Sequence, residues 1–345
     1  VDKLLSRQQL RDRIATFAGR DEDSSLGYRA AYLGDYVAQM RLLHNASTGR
    51  GNIAVIVASG EILDGRQSPG TIGGESTAEL LARARQDENI KAVLLRVDSP
   101  GGSAFASEVI RHEVLALQAA GKPVVASMGS VAASGGYWIS MAADRIVATE
   151  ATLTGSIGVF GMFPTFERSL AALGVYSDGV GTSSLAGVLR PDRTMTEETQ
   201  RIVQALVNDD YDKFISKEAD HRGLSKVAVD RVAQGQVWTA RDALDYGLID
   251  SIGDFDAAVA IAAELGGIGD GEYSLQYFEP ELSPAEMLAL QFLGGAKALG
   301  VDLSNIKQQP TAVQNIAVMV ENVLRPLTRF NDPQGIYAHC LCRFE

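Results

Sequence analysis

The chain has 345 residues, of which 46% are hydrophobic and 21% are charged, and its net charge is -12. This composition is typical of a globular protein with about two domains of roughly 150 residues each. An excess of 43 acidic over 31 basic residues, with no basic stretch, argues against nucleic acid as a partner. No apolar run approaches the length of about 18 residues that a membrane span needs. The first residue is Val1, so we expect any targeting segment to lie outside this sequence.

Short apolar runs alternate with helical patterns from residue 52 onward, which indicates βα units on a largely parallel sheet. Strands are predicted at 53–58, 92–97, 123–128, 145–148 and 175–180. Helices are predicted at 77–86, 105–119, 195–221, 225–234 and 240–246. The long helix is predicted to open with a capping box of Thr194 and Glu197, and Thr239 is the predicted N-cap of the last one.

These elements predict one α/β domain over residues 51–267, followed by a helical extension over 268–345. Residues 1–50 are too short to bury a core of their own. A short apolar segment, a helix and a Tyr-x-x-x-Tyr pair recur in the chain, at an offset of 248 between Val1 and Ile249 and 245 between Tyr28 and Tyr273. We therefore expect residues 1–50 to be the tail of a preceding, missing repeat and a linker.

Three glycine-bearing turns follow predicted strands, at residues 98–103, 132–138 and 153–158. In an open α/β sheet, ligands bind at the carboxyl ends of the strands, so these turns are predicted to converge on one site. The amides of Gly101 and Gly102 are suited to stabilise an oxyanion. Ser134 opens a helix, where the helix dipole and the Gly135 amide favour developing negative charge. Ser134 is therefore the predicted nucleophile.

A serine nucleophile needs a base, and the sequence offers no obvious one. The four histidines (His44, His112, His221 and His339) are scattered and are interpreted as surface residues, and none of the eight lysines stands out as a base. No phosphate-binding loop and no metal-ligand spacing occurs, so no cofactor and no metal are predicted. Two cysteines in a Cys-x-Cys arrangement are too few for a zinc site and poorly placed for an ordinary disulfide.

Four motifs together resemble the signal peptide peptidase A (protease IV) family of the ClpP/crotonase superfamily. They are Asp98-Ser-Pro-Gly-Gly-Ser, Ala133-Ser134-Gly-Gly-Tyr137-Trp138, Thr154-Gly155-Ser156-Ile157-Gly158 and Val237-Trp238-Thr239. The resemblance covers nearly the whole chain, and the tail of the sequence is similar to that of the long, tandem-repeat type. It implies a fold of repeated ββα/βα units with a parallel sheet.

The resemblance assigns roles to single residues. Ser134 is the implied nucleophile, Gly101, Gly102 and Gly135 form the implied oxyanion hole, and Ser156 supplies a hydroxyl that orients a lysine. In the short members of the family that lysine lies where this chain has Ser184. In the long type the first repeat carries it, so this chain alone is expected to have little or no activity. Val131 and Tyr137 are apolar candidates for substrate contact, although an ordinary core role suits them as well.

The implied function is a serine endopeptidase with a Ser-Lys dyad that degrades hydrophobic peptides such as cleaved signal peptides. The resemblance further implies a homo-oligomer, a tetramer in the full-length parent. It places the protein on the periplasmic face of the bacterial inner membrane, held by an N-terminal anchor that this sequence lacks. Two alternatives stay open: a crotonase-type acyl-CoA enzyme that uses Glu or Asp as acid and base, and a non-catalytic membrane-associated scaffold.

Overall fold

A computed structural model describes residues 5–21, 26–31, 36, 52–68, 70–183, 185–269, 271–279 and 331–340. Contacts between Cα atoms divide the chain into two units, Val1–Arg50 and Gly51–Glu345. The first unit contains helix α1 (Arg7–Ala18), which begins with a capping box: the Ser6 hydroxyl accepts from the Gln9 amide, and the Gln9 side chain accepts from the Ser6 amide.

The second unit contains the remaining described helices and strands. Its strands are β1 (Ile53–Ser59), β2 (Ile62–Leu63), β3 (Ile72–Gly73), β4 (Ala92–Ser99), β5 (Gly101–Ser103), β6 (Val124–Ala133), β7 (Arg145–Ala148), β8 (Leu153–Gly155), β9 (Phe160–Gly161), β10 (Val237–Thr239), β11 (Ser251–Ile252), β12 (Leu275–Tyr277) and β13 (Ile336–His339). Its helices are α2 (Gly74–Gln86), α3 (Ala104–Ala119), α4 (Gly135–Ser140), α5 (Glu167–Ala172), α6 (Glu197–Arg222), α7 (Lys226–Val232), α8 (Ala240–Asp245) and α9 (Phe255–Leu265).

The larger sheet has the strand order β10-β8-β6-β4-β1-β12, with β7 beside β6 and β11 beside β7. Its pairs are parallel except for β10 and β8, which run antiparallel. The smaller sheet has the order β3-β2-β5-β13-β9. The predicted α/β fold with a parallel sheet is therefore confirmed.

Strands β1 and β4 lie in the middle of the larger sheet and are buried on both faces. Ala54 and Ile56 point into a core built with helices α2, α3 and α4, whereas Ile53 and Val55 contact the opposite core against α9. Because both faces are covered, the strand is a continuous apolar run rather than an alternating one. This is why the sequence predicts these strands well.

Two predicted local features were wrong. Residues 175–180 form no strand, and Val175 (50% exposed), Tyr176 (82%) and Val180 (fully exposed) have no neighbouring strand to pair with. The long helix α6 begins two residues later than the predicted capping box, because Thr196 is the N-cap and its hydroxyl accepts from the Thr199 amide. Thr239 is the N-cap of α8, as predicted.

The predicted helical extension over 268–345 lies largely at 280–330, outside the described residues. Its described ends contain strands: β12 pairs with β1 in the larger sheet, and β13 pairs with β5 and β9 in the smaller one. Helix α1 at Arg7–Ala18 and helix α9 at Phe255–Leu265 begin at the predicted offset of 248, each after a polar N-cap, Ser6 and Asp254. The duplicated unit itself stays a prediction.

Candidate active site

Ser134 lies at the end of the central strand β6, where the chain turns into helix α4. Its backbone has φ +57° and ψ -114°, a region that costs a non-glycine residue about 1–3 kcal/mol. The Ser134 amide donates to the Gly155 carbonyl (2.8 Å), and the Ser134 carbonyl accepts from the Trp138 amide (2.8 Å). The Ser134 Oγ lies 3.5 Å from the carbonyl oxygen of Gly158. The hydroxyl is thus held on a sharp strand-to-helix turn at the start of a helix.

Strained backbone concentrates around this serine. Within the described ranges, three non-glycine residues have a positive φ: Ser134 (+57°), Ser156 (+49°) and Gln234 (+56°). All three line one cleft of about 540 Å³. Ser156 follows β8, and its amide donates to the Gln236 carbonyl (2.7 Å). Strain of this kind persists where the surroundings enforce it and clusters at functional sites, which marks this cleft as the candidate active site.

The glycine turn after β4 approaches the serine turn closely. Gly101 has φ +97°, and a Cβ placed on it would lie 2.2 Å from the Ala338 carbonyl oxygen and 2.6 Å from the Gly135 amide nitrogen. A Cβ on Gly135 would lie 2.9 Å from that same oxygen. The Gly101 amide donates to the Ser99 hydroxyl (3.1 Å). Since a side chain would collide with backbone at both positions, only glycine permits this approach.

The structure therefore brings together the ends of β4, β6 and β8, as the three turns predict. Gly101, Gly102, Ser134, Gly135 and Ser156 all lie at this edge of the sheets. Ser184, the residue at the position of the family's lysine, lies outside the described residues.

Val131 and Tyr137 do not line the cleft. Val131 is half-buried in β6, and its amide donates to a carboxylate oxygen of Asp98 (3.0 Å). Tyr137, a residue of α4, is completely buried. The structure thus places both in the framework of the sheet and helix rather than in the opening beside Ser134.

Two lining residues were missed from sequence. Tyr211 reaches the cleft from α6, and its hydroxyl donates to Asp230 (2.6 Å); burial and this bond raise the pKa of Tyr211 to about 12. His339 was interpreted as a surface residue, which was wrong: its side chain is 13% exposed and lies 3.8 Å from Glu61. No local pattern identifies either residue, because long-range packing brings both to the cleft.

No described lysine lines the cleft. Each of the five is held elsewhere: Lys91 and Lys122 by backbone carbonyls, and Lys213, Lys217 and Lys226 by carboxylates. Lys122 has a pKa lowered chiefly by desolvation, but it precedes β6 whereas Ser134 follows it, and a strand of ten residues spans roughly 33 Å. Lys3, Lys297 and Lys307 lie outside the described residues.

Lys217 is bound to a half-buried carboxylate, that of Glu108, beside α4. Its Nζ lies 2.6 Å from Glu108 and 5.4 Å from the centre of the Trp138 ring. Burial alone would raise the pKa of Glu108, but hydrogen bonds from Arg111, Lys217 and Trp138 outweigh it and lower that pKa to about 2. Glu108 therefore stays ionised and fixes Lys217 in a structural ion pair.

Tyr137 and Glu218 form a buried pair that ties α4 to the long helix α6. The Tyr137 hydroxyl lies 2.5 Å from Glu218 Oε1 and 2.7 Å from the Leu248 carbonyl. The Tyr137 hydroxyl has one proton. If that proton goes to the Leu248 carbonyl, Glu218 must donate its own proton to the Tyr137 oxygen. The other oxygen of Glu218 is buried without a hydrogen-bond partner in the described structure. Glu218 is thus a neutral carboxylic acid, and burial raises its pKa to about 8.

Replacing Glu218 with Gln is expected to remove a pH dependence of stability. The folded pKa of about 8 exceeds the unfolded value of 4.5, so the folded state keeps its proton while the unfolded state loses it. The free energy of unfolding therefore falls from about pH 4.5 to pH 8, by up to about 1.4 kcal/mol per pH unit from this group. Glu218→Gln, which still donates to Tyr137, abolishes that slope. Urea unfolding at pH 5, 7 and 9 measures it.

The matched control is Glu150→Gln, which changes a carboxylate that is 75% exposed. This variant should keep the slope of the parent chain. If Glu218→Gln also keeps the slope, Glu218 is ionised in the folded protein, and the assignment of a neutral acid is contradicted.

Three further observations describe the surroundings of the site. Cys340, which lines the cleft, is disulfide-bonded, so the prediction that the Cys-x-Cys spacing disfavours a disulfide was wrong; Cys342 lies outside the described residues.

The part of the chain that the structure describes holds no group of three metal-ligating side chains. It also holds no helix that combines the length and the apolar character of a membrane span.

Comparison with known proteins gives a family match. The model of "Peptidase family S49" matches residues 116–269. Over 341 residues, 99% of this chain, the sequence is 44% identical to "Protease 4" of Salmonella typhi and covers 54% of it. It is 36% identical over 194 residues to a "Putative protease" of Synechocystis sp., covering 56% of this chain and 70% of that protein.

Among solved structures, a mutant of ClpP1 from Listeria monocytogenes aligns with a TM-score of 0.38 and 15% identity, over 59% of this chain and 94% of that one. The chain spans about half the length of the Salmonella relative, 54%.

Proposed function

The chain belongs to peptidase family S49, and we propose on that basis that it is the nucleophile-bearing part of a serine endopeptidase, with Ser134 as the nucleophile. One observation carries the proposal: the strained residues Ser134, Ser156 and Gln234 line a single cleft, and Ser134 stands at the start of a helix. A helix N-terminus and nearby backbone amides favour the negative charge that develops when a serine attacks a peptide carbonyl.

In the proposed reaction, the Ser134 oxygen attacks the carbonyl carbon of the substrate peptide while the base takes the hydroxyl proton, and the carbonyl oxygen becomes an oxyanion. The amides of the Gly101-Gly102 turn and of Gly135 stabilise that charge. The Gly101 amide already donates to Ser99, so we propose Gly102 and Gly135 as the two donors. Collapse of the intermediate breaks the C–N bond as the base returns its proton to the leaving amine, and water then hydrolyses the acyl-enzyme.

The base of this reaction is a lysine from outside the chain. The cleft contains no described lysine, and Ser156 lies in the same cleft as Ser134; we propose that the Ser156 hydroxyl orients the amine of that lysine. A lysine works as a base only when it is desolvated enough to be partly neutral, which a closed interface between two repeats provides. We propose that the preceding repeat supplies it.

The proposed substrates are hydrophobic peptides such as cleaved signal peptides. The proposed setting is the periplasmic face of the bacterial inner membrane, with an anchor outside this chain, in a homo-oligomer that is a tetramer in the full-length parent. The resemblance of the four motifs supports these points.

Labelling with a fluorophosphonate tests the assignment of the nucleophile. With the proposed lysine-bearing repeat supplied, we expect one covalent adduct per chain, located at Ser134 by mass spectrometry of peptides and lost in Ser134→Ala. The matched control, Ser68→Ala at an exposed serine, should label fully. Saturable binding of coenzyme A without a Ser134 adduct would favour an acyl-CoA enzyme, and neither adduct nor binding would favour a scaffold.

A further inference from the structure

Strand β13, near the C-terminus, fills the gap between two strands that border the candidate active site. It pairs antiparallel with β5 through Tyr337 and Ser103, and antiparallel with β9 through Tyr337 and Phe160. β5 carries the oxyanion glycines, and β9 follows Ser156. We call this gap, between Gly101–Ser103 and Phe160–Gly161, the β5/β9 groove.

Within the β5/β9 groove, β13 lies against the reacting groups. Ala338 pairs with Gly102, and its carbonyl oxygen lies 2.2 Å from the point where a Gly101 Cβ would stand and 2.9 Å from the corresponding point at Gly135. His339, the next residue, lines the cleft together with Ser134. The strand thus places a backbone carbonyl beside Gly101 and Gly135, two of the residues proposed to stabilise the oxyanion.

Two strand edges with a gap between them are a common binding site for an extended peptide, which adds its own strand by backbone hydrogen bonds. In the order β3-β2-β5-β13-β9, β13 is the neighbour that β5 shares with β9. A substrate strand and β13 therefore require the same backbone groups of β5. The two cannot occupy the groove together.

A specific side chain holds β13 in place. Asp332 is 8% exposed, and its Oδ2 accepts from the Ser103 hydroxyl (2.6 Å) and the Phe105 amide (3.0 Å) at the start of helix α3. Its Oδ1 accepts from the amides of Gln334 (2.8 Å) and Ile336 (3.2 Å), which fixes the turn into β13. A carboxylate at a helix N-terminus is favourable, and hydrogen bonds to a charged acceptor are the stronger kind.

A second, weaker contact lies beside it. The Asn331 side chain accepts from the Asp64 amide (2.9 Å) and donates to the Asp64 carbonyl (3.2 Å). Asn331 and Asp332 together form what we call the latch. The latch contacts β5 and its surroundings through side chains, whereas β13 itself contacts β5 through backbone that any sequence provides.

We propose that residues 331–340 are an intramolecular ligand of the β5/β9 groove, held by the latch, and that the groove binds a peptide substrate only after β13 has left it. The inference rests on the proposed function in taking this groove as the substrate site. The inference also excludes His339 as the base of Ser134, because His339 leaves the cleft together with β13.

The test uses the whole 345-residue chain with Asp332→Asn, which keeps the shape of the side chain and removes its charge. Hydrogen exchange of the amides 336–339 should become faster by about tenfold or more, the size expected from losing charge-assisted hydrogen bonds. A fluorescent synthetic peptide that copies residues 331–340 should bind this variant at least about tenfold more tightly than the parent chain. The matched control is Asp254→Asn, because Asp254 caps α9 in the other core and accepts from the Ala257 amide.

Each outcome of this test either supports or overturns the inference. If the parent chain binds the peptide as tightly as Asp332→Asn does, the groove is already open and the inference is overturned. Faster exchange without peptide binding overturns it too, because β13 would then be a fixed part of the site. If hydrogen exchange of the amides 336–339 is unchanged, the latch does not hold β13 in place, and that part of the inference is wrong. If circular dichroism shows that Asp332→Asn is unfolded, Asn331→Ala replaces it with the same criteria. Fluorophosphonate labelling at Ser134 with the proposed preceding repeat supplied, read in parallel, shows whether the proposed function stands when this inference fails.

Discussion

Supplying the lysine-bearing repeat that we propose precedes Val1 should raise peptidase activity by about 10²–10⁴-fold over this chain alone, the range that a positioned general base contributes. The reason is that no described lysine is available as a base for Ser134. Each is held by a carboxylate or by backbone carbonyls, and none lines the cleft with Ser134. The measurement is hydrolysis of an internally quenched apolar peptide by the chain, by the preceding repeat, and by the two together.

Three variants test which residues of this chain the increase in activity requires. Ser134→Ala in the restored pair should return the rate to that of the chain alone. Lys217→Met and His339→Ala should leave the increase in place, because Lys217 is bound to Glu108 and His339 lies on the strand that has to leave. Full activity of this chain by itself, lost when one of its own lysines is changed, would show that the base is internal and that the two-repeat dyad is wrong.

The sequence predicts the central sheet because burial there leaves a clear pattern. β1 and β4 are apolar on both faces, and their flanking helices carry one apolar stripe each, so run length and periodicity agree. The segment 175–180 has the same apolar, β-branched appearance and is nevertheless exposed. A strand needs a neighbour for its backbone groups, and composition does not report whether one exists.

The residues of the candidate site also differ in whether the local sequence identifies them. The Gly101-Gly102 turn and Ser134 were predictable, because each follows a strand and has a distinctive local composition. Residues 331–340 were not, since β13 reaches the site by pairing with strands more than 170 residues away in the chain. Its short sequence has no periodicity that would identify it. Tyr211 and Glu218 were missed for a related reason: on α6 they occupy ordinary helix positions, and their roles arise from the partners that tertiary packing brings to them.

Gly101→Ala should be strongly destabilising, and Gly70→Ala provides its matched control. The two glycines have nearly the same φ, +97° and +95°, so an alanine at either position meets the same backbone strain, about 1–3 kcal/mol. A Cβ at Gly70 has no atom within 4 Å, whereas at Gly101 it would meet the Ala338 oxygen at 2.2 Å and the Gly135 nitrogen at 2.6 Å. We expect Gly101→Ala to lower the free energy of unfolding by more than about 4 kcal/mol, the range reserved for severe steric or packing defects.

Urea unfolding followed by circular dichroism compares the two variants directly. The difference between them isolates the steric part, because the cost of a positive φ is common to both. The restored pair of repeats should also lose its activity in Gly101→Ala, since the colliding atoms are the Gly135 amide and the strand in the β5/β9 groove. If Gly101→Ala unfolds at the same urea concentration as Gly70→Ala, the backbone at Gly101 has room for a side chain. The close approach of the glycine turn to Ser134, on which the oxyanion assignment depends, would then be wrong.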